Sequence, residues 1–348
     1  YVELWNHGLM AHEAEKVRPW LARELGWEAP VFAGALSGGN SNLTWSFESD
    51  SEACVVRTFP AETISPTAHR GIEREERVLR AVEGHVKAPR VLGWCDDSSV
   101  LGRPFLVVER INGTAITDTL PSAYASDENA PDKLGRDLID QLAAIHKVPF
   151  PSPALEKIGR PENFLERQLA RWIKVREDTA VRDLPALFSL GQWLLDNIPP
   201  PCEPCLIHGD YHLDNTLASR ELPEILAVID WEMATVGDPY TDLGLVLMLW
   251  GEKRSVDPPA FSHLQAISRR PGVIDRRGLA ERWALATGRG LDHLDYYMAF
   301  SFWRLAAIVE GAYCLFQQGK VDSQYAQDLK YNVPALLAEA KRAASGDW

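Results

Sequence analysis

Residue types that bind metals or transfer protons alternate along the stretch HGDYHLDN, residues 208–215. His208, Asp210, His212 and Asp214 occupy every second position. On an extended strand, side chains at this spacing would share one face, as the ligands of a metal cluster must. In a loop, the same residues would have separate roles. The spacing alone leaves a metal cluster and a catalytic loop as alternatives.

The residues around this stretch favour a loop between strands. The apolar run CLIHGD predicts a strand that ends at His208, with Asp210 in the loop that follows. The segments TLAS, RELPE and ILAVID then predict a strand, a turn and a strand, and Asp230 closes the second strand. Fifteen residues separate Asn215 from Asp230, which is enough for one hairpin that brings the two together.

Phosphoryl transfer is a reaction that these side chains could support. It requires little covalent chemistry from a protein and depends mostly on positioning and charge neutralisation. One carboxylate must accept or orient the proton of the attacking hydroxyl group, and Asp210 fits this role. Mg²⁺ prefers hard oxygen ligands, and the oxygens of Asn215 and Asp230 fit that role.

The predicted elements divide the chain into two parts. Short apolar runs that alternate with Gly, Ser and Asn over residues 25–110 predict antiparallel strands, with one charged helix at residues 70–83. Apolar stripes at helical spacing then predict a mostly helical part with a strand-rich insert at residues 205–231. The other predicted helices cover residues 11–25, 132–147, 162–178, 184–197, 238–250, 278–287, 291–317 and 322–344. We expect a small sheet lobe, residues 1–110, and a helical lobe, residues 111–348.

Several motifs together resemble the aminoglycoside phosphotransferase and choline kinase-like family. HGDYHLDN…VIDWE resembles its catalytic loop and metal-binding aspartate, and LSGGNSNLTW resembles its nucleotide loop. CVVRTFP resembles the strand with the phosphate-pairing cation, REERVLRAV the helix with the acidic partner of that cation, and LGRPFLVVERINGT the hinge. The resemblance extends over about residues 30–250 and is strongest to the branch also fused to acyl-CoA dehydrogenases. It implies an α+β, two-lobed, protein-kinase-like fold.

The resemblance also implies a role for individual residues. Asp210 would be the catalytic base, and Asn215 and Asp230 would bind Mg²⁺. Arg57, which stands where kinases usually have lysine, would pair with the nucleotide phosphates, and Glu75 would pair with Arg57. The remaining nucleotide contacts would come from the glycine-rich loop and the hinge, which contribute Gly38, Gly39, Ser41, Asn42, Glu109 and Ile111.

The implied activity is that of a small-molecule kinase that uses Mg²⁺ with ATP or GTP. Sugars, amino alcohols, antibiotics and hydroxyacyl thioesters are all open as acceptors, and the branch favours a hydroxyacyl or another lipid-related compound. A catalytically weak nucleotide-binding or scaffold protein is the alternative, and it is supported by Arg57, because arginine is not equivalent to lysine. The segment after Asp230 has no DFG or APE motif, which disfavours a protein kinase.

Charge and hydropathy narrow the range of partners. The net charge of −13 argues against a nucleic-acid partner, which would need clustered basic residues. The longest uncharged apolar run, residues 243–250, is too short to span a bilayer, so we expect no membrane partner. We expect a nucleotide and a small-molecule acceptor as the ligands.

The five cysteines indicate a reducing environment. An odd number at irregular spacing does not suggest a disulfide framework, so we expect a cytoplasmic protein. Cys202 and Cys205 have the spacing of metal ligands, and His208 and His212 could complete a zinc site with them. A lone CxxC is a weak signal, and the two histidines belong to the stretch already interpreted as a catalytic loop.

Supporting roles are expected for other polar residues near the loop. His208 is predicted to stabilise the loop by hydrogen bonding, whereas His212 is not expected to bind metal. Asp238 could cap the helix that follows it, and either Asp238 or Asp242 could brace the catalytic loop. His146 lies in the apolar segment LAAIHKV, which predicts a hydrogen-bonded histidine of the core.

Overall fold

The computed structural model describes residues 12–36, 42–50, 52–60, 66–251 and 264–348. Within these ranges a small antiparallel sheet lobe is followed by a mostly helical lobe, as the sequence predicts. The last strand of the sheet, Phe105–Glu109, ends next to the predicted lobe boundary at residue 110. The boundary itself stays a prediction.

The helices and strands take these bounds. The helices are α1 Arg18–Leu25, α2 Pro66–Val82, α3 Ser98–Leu101, α4 Ala130–His146, α5 Phe164–Thr179, α6 Pro185–Asp196, α7 Tyr240–Leu249, α8 Arg276–Thr287, α9 Leu294–Gln317 and α10 Gln324–Ala344. The strands are β1 Val31–Ala35, β2 Leu43–Ser49, β3 Glu52–Thr58, β4 Val91–Cys95, β5 Phe105–Glu109, β6 Gly113–Thr114, β7 Cys205–Ile207, β8 Thr216–Ser219, β9 Ile225–Val228 and β10 Thr235–Gly237.

Five strands form the sheet of the first lobe, in the order β1-β2-β3-β5-β4, and every pairing is antiparallel. Successive side chains on β3 point to opposite faces. Val56 belongs to the same buried cluster as Trp20 of α1, and Val55 to the same cluster as Ile72 of α2. Because both faces are covered, the buried residues 54–56 of β3 and 105–108 of β5 are all apolar. Arg57 lies two residues after Val55 and therefore faces α2.

The helix predicted at residues 11–25 is interrupted. One turn of helix at residues 12–15 is followed by a turn at residues 16–17, and α1 then begins at Arg18 with a proline in its first turn. Proline has no backbone N–H and disfavours helical geometry in the residue before it. Pro19 therefore suits the start of a new helix better than the interior of a continuous one.

The strand-rich insert of the helical lobe forms two small sheets. β7 pairs with β10, and β8 pairs with both β6 and β9. In the β8–β9 hairpin Thr216 lies opposite Val228, and the Ile229 N–H donates to the Asn215 carbonyl at 2.9 Å. The hairpin thus returns the chain, so that Asp230 follows directly beside Asn215.

The long helix α9 lies at the centre of the second lobe, in contact with α5, α6, α7 and α10. It is long and apolar enough to cross a membrane by length and composition, but 61% of its most apolar window is buried, as in a core helix. A Cβ at Gly244 of α7 would lie 2.7 Å from the Tyr297 carbonyl oxygen. Glycine therefore permits the close approach of α7 to α9.

Candidate active site

Three charged side chains from distant parts of the chain meet at the edge of the sheet lobe. Arg57 Nε lies 3.1 Å from Glu75 Oε2, and Arg57 Nη2 donates to Asp230 Oδ1 at 3.1 Å. The contact with Glu75 is an ion pair without the alignment of a hydrogen bond. We call Arg57, Glu75 and Asp230 the charge cluster.

Burial sets the protonation of the charge cluster. Glu75 is 2% exposed, and this burial raises the pKa of its carboxyl from 4.5 to about 7, although the positive charge of Arg57 opposes the shift. Burial also disfavours the charged form of Arg57. The carboxylates of Glu75 and Asp230 outweigh it, and the pKa of Arg57 is raised. The guanidinium therefore keeps its charge.

The amphipathic pattern of α2 distinguishes Glu75 from the glutamates beside it. Glu73 pairs with Arg77, and Glu76 pairs with Arg80, one helical turn away in each case. Such pairs belong to the solvent-facing side of a helix. Glu75 instead points to the sheet, where Arg57 is its partner. The structure therefore brings together Arg57 and the glutamate for which the resemblance implied this contact.

The loop between β7 and β8 is held by one buried carboxylate. Asp242 of α7 accepts the His208 N–H at 2.6 Å and the Gly209 N–H at 2.9 Å. The ring of His208 contacts the Ile229 carbonyl oxygen through Nε2 at 2.9 Å. Of the two aspartates considered as a brace, Asp242 has this position. Asp238 instead accepts the Tyr240 N–H at the start of α7.

A buried histidine completes the support of Asp242. Trp283 Nε1 donates to His146 Nδ1 at 2.9 Å, so the proton of the neutral ring lies on Nε2, which is 3.5 Å from Asp242 Oδ2. Burial lowers the pKa of His146 despite the nearby carboxylates. Burial also opposes ionisation of Asp242, but its hydrogen bonds and the histidines hold the pKa of Asp242 below the ordinary value.

Gly209 allows the loop to pass close to the turn after Asp230. Its φ is +85°, in the left-handed region, and a Cβ there would lie 2.6 Å from the Met233 carbonyl oxygen. A side chain would therefore meet both backbone strain and a backbone atom. The glycine keeps the Asp210 loop in contact with the residues that follow Asp230.

Asp210 lies at the end of this loop with its side chain half exposed. Burial of the region raises the pKa of the carboxyl, but the hydrogen bond and charge of His212, with the charges of His208 and Arg304, outweigh that effect and lower it. The carboxyl is therefore ionised at neutral pH. It can accept a hydrogen bond from a hydroxyl group that enters the cleft.

The donor set beside Asp210 fits Mg²⁺. Asn215 Nδ2 donates to the Asp210 carbonyl oxygen at 2.8 Å and to Asp210 Oδ2 at 3.2 Å. Both partners are acceptors, so they fix the orientation of the amide and leave its Oδ1 for a cation. Asp230, 28% exposed, offers carboxylate oxygens next to it. One amide and one carboxylate leave room for the waters that Mg²⁺ commonly retains.

The four-ligand cluster suggested by the alternation of His and Asp does not form. In the part of the chain that the structure describes, no three His, Cys, Asp or Glu residues are grouped as a metal site would require. Cys202 interacts with Asp238, while His212 lies 3.2 Å from the Asn215 amide nitrogen. The described residues therefore do not assemble the Cys₂His₂ alternative.

Other residues assigned to nucleotide binding are placed as follows. Gly38, Gly39 and Ser41 lie outside the described residues. Asn42 Nδ2 donates to Glu232 Oε2 at 2.6 Å, which links the residue after the glycine-rich segment to the turn after Asp230. Glu109 ends β5, and the Ile111 carbonyl accepts the Gly113 N–H at 3.0 Å. Their contacts with a nucleotide stay predictions.

One residue at the site was missed by the sequence interpretation. Arg304 of α9 donates from Nη2 to the Gly209 carbonyl oxygen at 3.2 Å. It lies in the stretch YYMAFSFWRLAAIVEGAYCLF, where only it and Glu310 are charged. A charged side chain in an apolar stretch of this length was the available signal.

Known proteins share both the sequence pattern and the fold. The model of the phosphotransferase enzyme family matches residues 33–291. Acyl-CoA dehydrogenase family member 10 of Mus musculus is 32% identical over 295 residues, which cover 83% of this chain and 27% of that protein. The chain thus spans about a quarter of the length of this relative.

Solved structures give the same result for the fold. A candidate aminoglycoside phosphotransferase from Ralstonia eutropha is 26% identical with a TM-score of 0.80, covering 96% of this chain and 98% of that one. The complex of APH(4)-Ia with AMP-PNP and hygromycin B is 18% identical with a TM-score of 0.60, covering 95% and 99%, and shows the fold alone. The predicted two-lobed, protein-kinase-like fold class is confirmed.

Proposed function

Since the chain belongs to the phosphotransferase enzyme family, we propose that it transfers the γ-phosphoryl group of ATP or GTP to a hydroxyl group of a small molecule. The observation that carries this proposal is the reach of Arg57 from the sheet lobe to Asp230 of the hairpin. This hydrogen bond brings a cation suited to phosphate next to a carboxylate suited to Mg²⁺, beside Asn215 and Asp210.

Each residue of the site has a separate task in the proposed reaction. Asp210, ionised and half exposed, accepts a hydrogen bond from the acceptor hydroxyl and orients its oxygen toward the phosphorus atom. Arg57 neutralises phosphate charge, and Glu75 fixes the direction of its guanidinium. When bound, Mg²⁺ would neutralise charge that develops on the phosphate oxygens. Asn215 and Asp230 would hold it.

The arginine at position 57 does not by itself favour a scaffold protein. Its guanidinium contacts Glu75 through Nε and Asp230 through Nη2, two contacts in different directions that a single lysine ammonium would make less readily. The geometry therefore supports arginine as a working substitute for lysine. An intact Asp210 and Asn215 pair also favours catalysis over binding alone.

The experiment that tests this function measures nucleotide consumption against a library of hydroxyl compounds. Asp210→Asn removes the carboxylate that orients the hydroxyl, so we expect kcat to fall by about 10²–10⁴-fold. The Kd for the Mg²⁺–nucleotide complex should change by less than about threefold, because the contacts of Arg57 and Asp230 remain.

Asp214→Asn is the matched control, because it removes the same charge two residues after His212 in the same loop. It should retain most of the turnover. Undiminished turnover in Asp210→Asn would remove Asp210 from its assigned role. Tight nucleotide binding without turnover of any acceptor would favour the scaffold protein instead.

A further inference from the structure

Arg304 is a cation that the described structure leaves without an acidic partner. Its hydrogen bond to the Gly209 carbonyl oxygen uses Nη2, while its Nε is buried and has no acceptor. Among the described residues, no carboxylate lies within 4.0 Å of its guanidinium, although Asp210 and Asp242 act on it at longer range. The buried Nε is out of reach of a ligand, which leaves three N–H groups of Nη1 and Nη2 for one.

Three other arginines with little exposure to solvent are paired with carboxylates. Arg57 contacts Glu75 and Asp230, Arg103 binds both carboxylate oxygens of Glu13, and Arg182 binds both of Glu310. A cation removed from water without such a partner is destabilising. Arg304 lies beside the catalytic loop, where an anionic ligand could supply the missing negative partner.

The location of Arg304 associates it with the acceptor rather than with the nucleotide. The charge cluster reaches the site from β3, α2 and the β8–β9 hairpin, whereas Arg304 reaches it from α9 of the helical lobe. Gly209, which it contacts, immediately precedes Asp210. The exposed Arg171 of α5 is close enough for its charge to act on Arg304. Arg171 thus adds a second positive charge in the neighbourhood of Arg304.

We propose that Arg304 binds an anionic group, a carboxylate or a phosphate, on the hydroxyl-bearing acceptor. The planar guanidinium can donate two parallel hydrogen bonds to either group. The acceptor is then a hydroxy acid or an alcohol phosphate rather than a neutral polyol or a cationic amine. This inference rests on the proposed phosphotransferase function, since it names the substrate class of the same site.

The test uses matched sets of hydroxyl compounds that differ in one group. Each set has a neutral diol, the corresponding hydroxycarboxylate and the corresponding alcohol phosphate, over a range of chain lengths. Binding to the full chain with Mg²⁺ and ADP is measured by calorimetry, and turnover with Mg²⁺ and ATP or GTP by product analysis. We expect anionic members to bind about 10–100-fold more tightly than their neutral partners, because charge-assisted hydrogen bonds are strong. The two anions separate carboxylate from phosphate recognition.

Two substitutions of Arg304 test whether this residue causes the preference for anionic acceptors. Arg304→Gln should remove it, and Arg304→Lys should restore part of it, since lysine keeps the charge but not the planar pair of donors. Arg176→Gln is the control. Arg176 is another buried arginine that packs against α9, but it contacts Cys314 Sγ and lies apart from the catalytic loop. This control should keep the anion preference.

Three results would overturn the inference. In the first, anionic members bind no more tightly than neutral ones. In the second, Arg304→Gln leaves the preference for anions unchanged. In the third, Arg304→Gln weakens the binding of all acceptors equally, as expected for a residue that only supports Gly209. The binding readout does not depend on catalysis. If nucleotide consumption fails for every acceptor while anion preference persists, the proposed function is wrong and the anion site stands.

Discussion

The two halves of the site are held in position by different interactions. In the charge cluster, side chains separated by as many as 173 residues meet through ion pairs, and part of the cluster is open to solvent. The catalytic loop is instead held through its backbone, since Asp242 accepts two successive N–H groups in the buried interior. The reacting carboxylate is thus fixed by main-chain geometry, and the phosphate-binding cation by charge.

This difference predicts different sensitivities. Backbone contacts to a buried acceptor resist changes of pH and salt, but they depend on the one carboxylate that receives them. The charge cluster depends on the protonation of Glu75, whose pKa is raised to about 7 by burial. Substitution of its acceptor should therefore destabilise the loop, whereas a change of pH should alter the stability of the charge cluster.

The largest expected effect comes from the loop. Asp242→Ala leaves the N–H groups of His208 and Gly209 and the ring of His146 without their acceptor. We expect the free energy of unfolding to fall by about 3–5 kcal/mol, as when one partner of a buried charge pair is removed. Urea denaturation measures this. Asp140→Ala, which breaks an exposed pair with Arg282, should cost less than about 1 kcal/mol. Equal losses would contradict the special role of Asp242.

The second effect is a pH dependence of the charge cluster. Because the pKa of Glu75 is raised from 4.5 to about 7 in the folded state, the folded protein binds more protons than the unfolded chain between these values. The contribution of Glu75 to stability is therefore complete below about pH 4.5 and is lost as the pH rises through about 7. Arg57 opposes this loss, whereas the charges of Asp230 and Glu232 add to it.

Glu75→Gln, which cannot ionise, isolates this contribution. Its stability relative to the unsubstituted protein should rise by about 3 kcal/mol between pH 4.5 and pH 8. Denaturation at several pH values measures the difference. Glu73→Gln on the exposed side of the same helix, where Arg77 is the partner, should give a nearly flat difference. A flat difference for Glu75→Gln as well would show that burial does not control this carboxyl.

The smallest expected loss of stability tests the role of backbone geometry in the loop. Gly209→Ala combines a left-handed backbone with a clash against the Met233 carbonyl oxygen, and we expect it to cost about 2 kcal/mol. Gly288→Ala has a similar positive φ with open space around it, so it should cost about 1 kcal/mol. Thermal unfolding compares the two. Similar losses would mean that strain alone, without the close contact, limits position 209.

Sequence reasoning predicted the elements well where the signal is local. Apolar periodicity located α4 and α9 within a few residues, because the spacing of buried side chains follows directly from helix geometry. The interruption before α1 was missed, since the apolar pattern continues across residues 16–17 while the helix does not. The hairpin between Asn215 and Asp230 was predicted from two apolar runs, the turn between them and the spacing of 15 residues.

Within the site, prediction ended where side chains from distant elements meet. Sequence could name Arg57 and Glu75 only through a family resemblance, because nothing local joins β3 to α2. It left Asp238 and Asp242 as equal candidates, since a difference of four residues places both on one side of a helix start. Arg304 was missed because its role depends on which side of α9 faces Gly209, and both sides of that stretch are apolar.

The separation of Arg57 from Asp230 also has a consequence for protein synthesis. Ribosomes add about 5–20 residues per second, so a separation of 173 residues takes about 9–35 s to be made. During that interval the sheet lobe can fold with Arg57 paired only to Glu75. A newly made chain therefore completes the charge cluster late, when the hairpin emerges. Until then the cluster lacks Asp230.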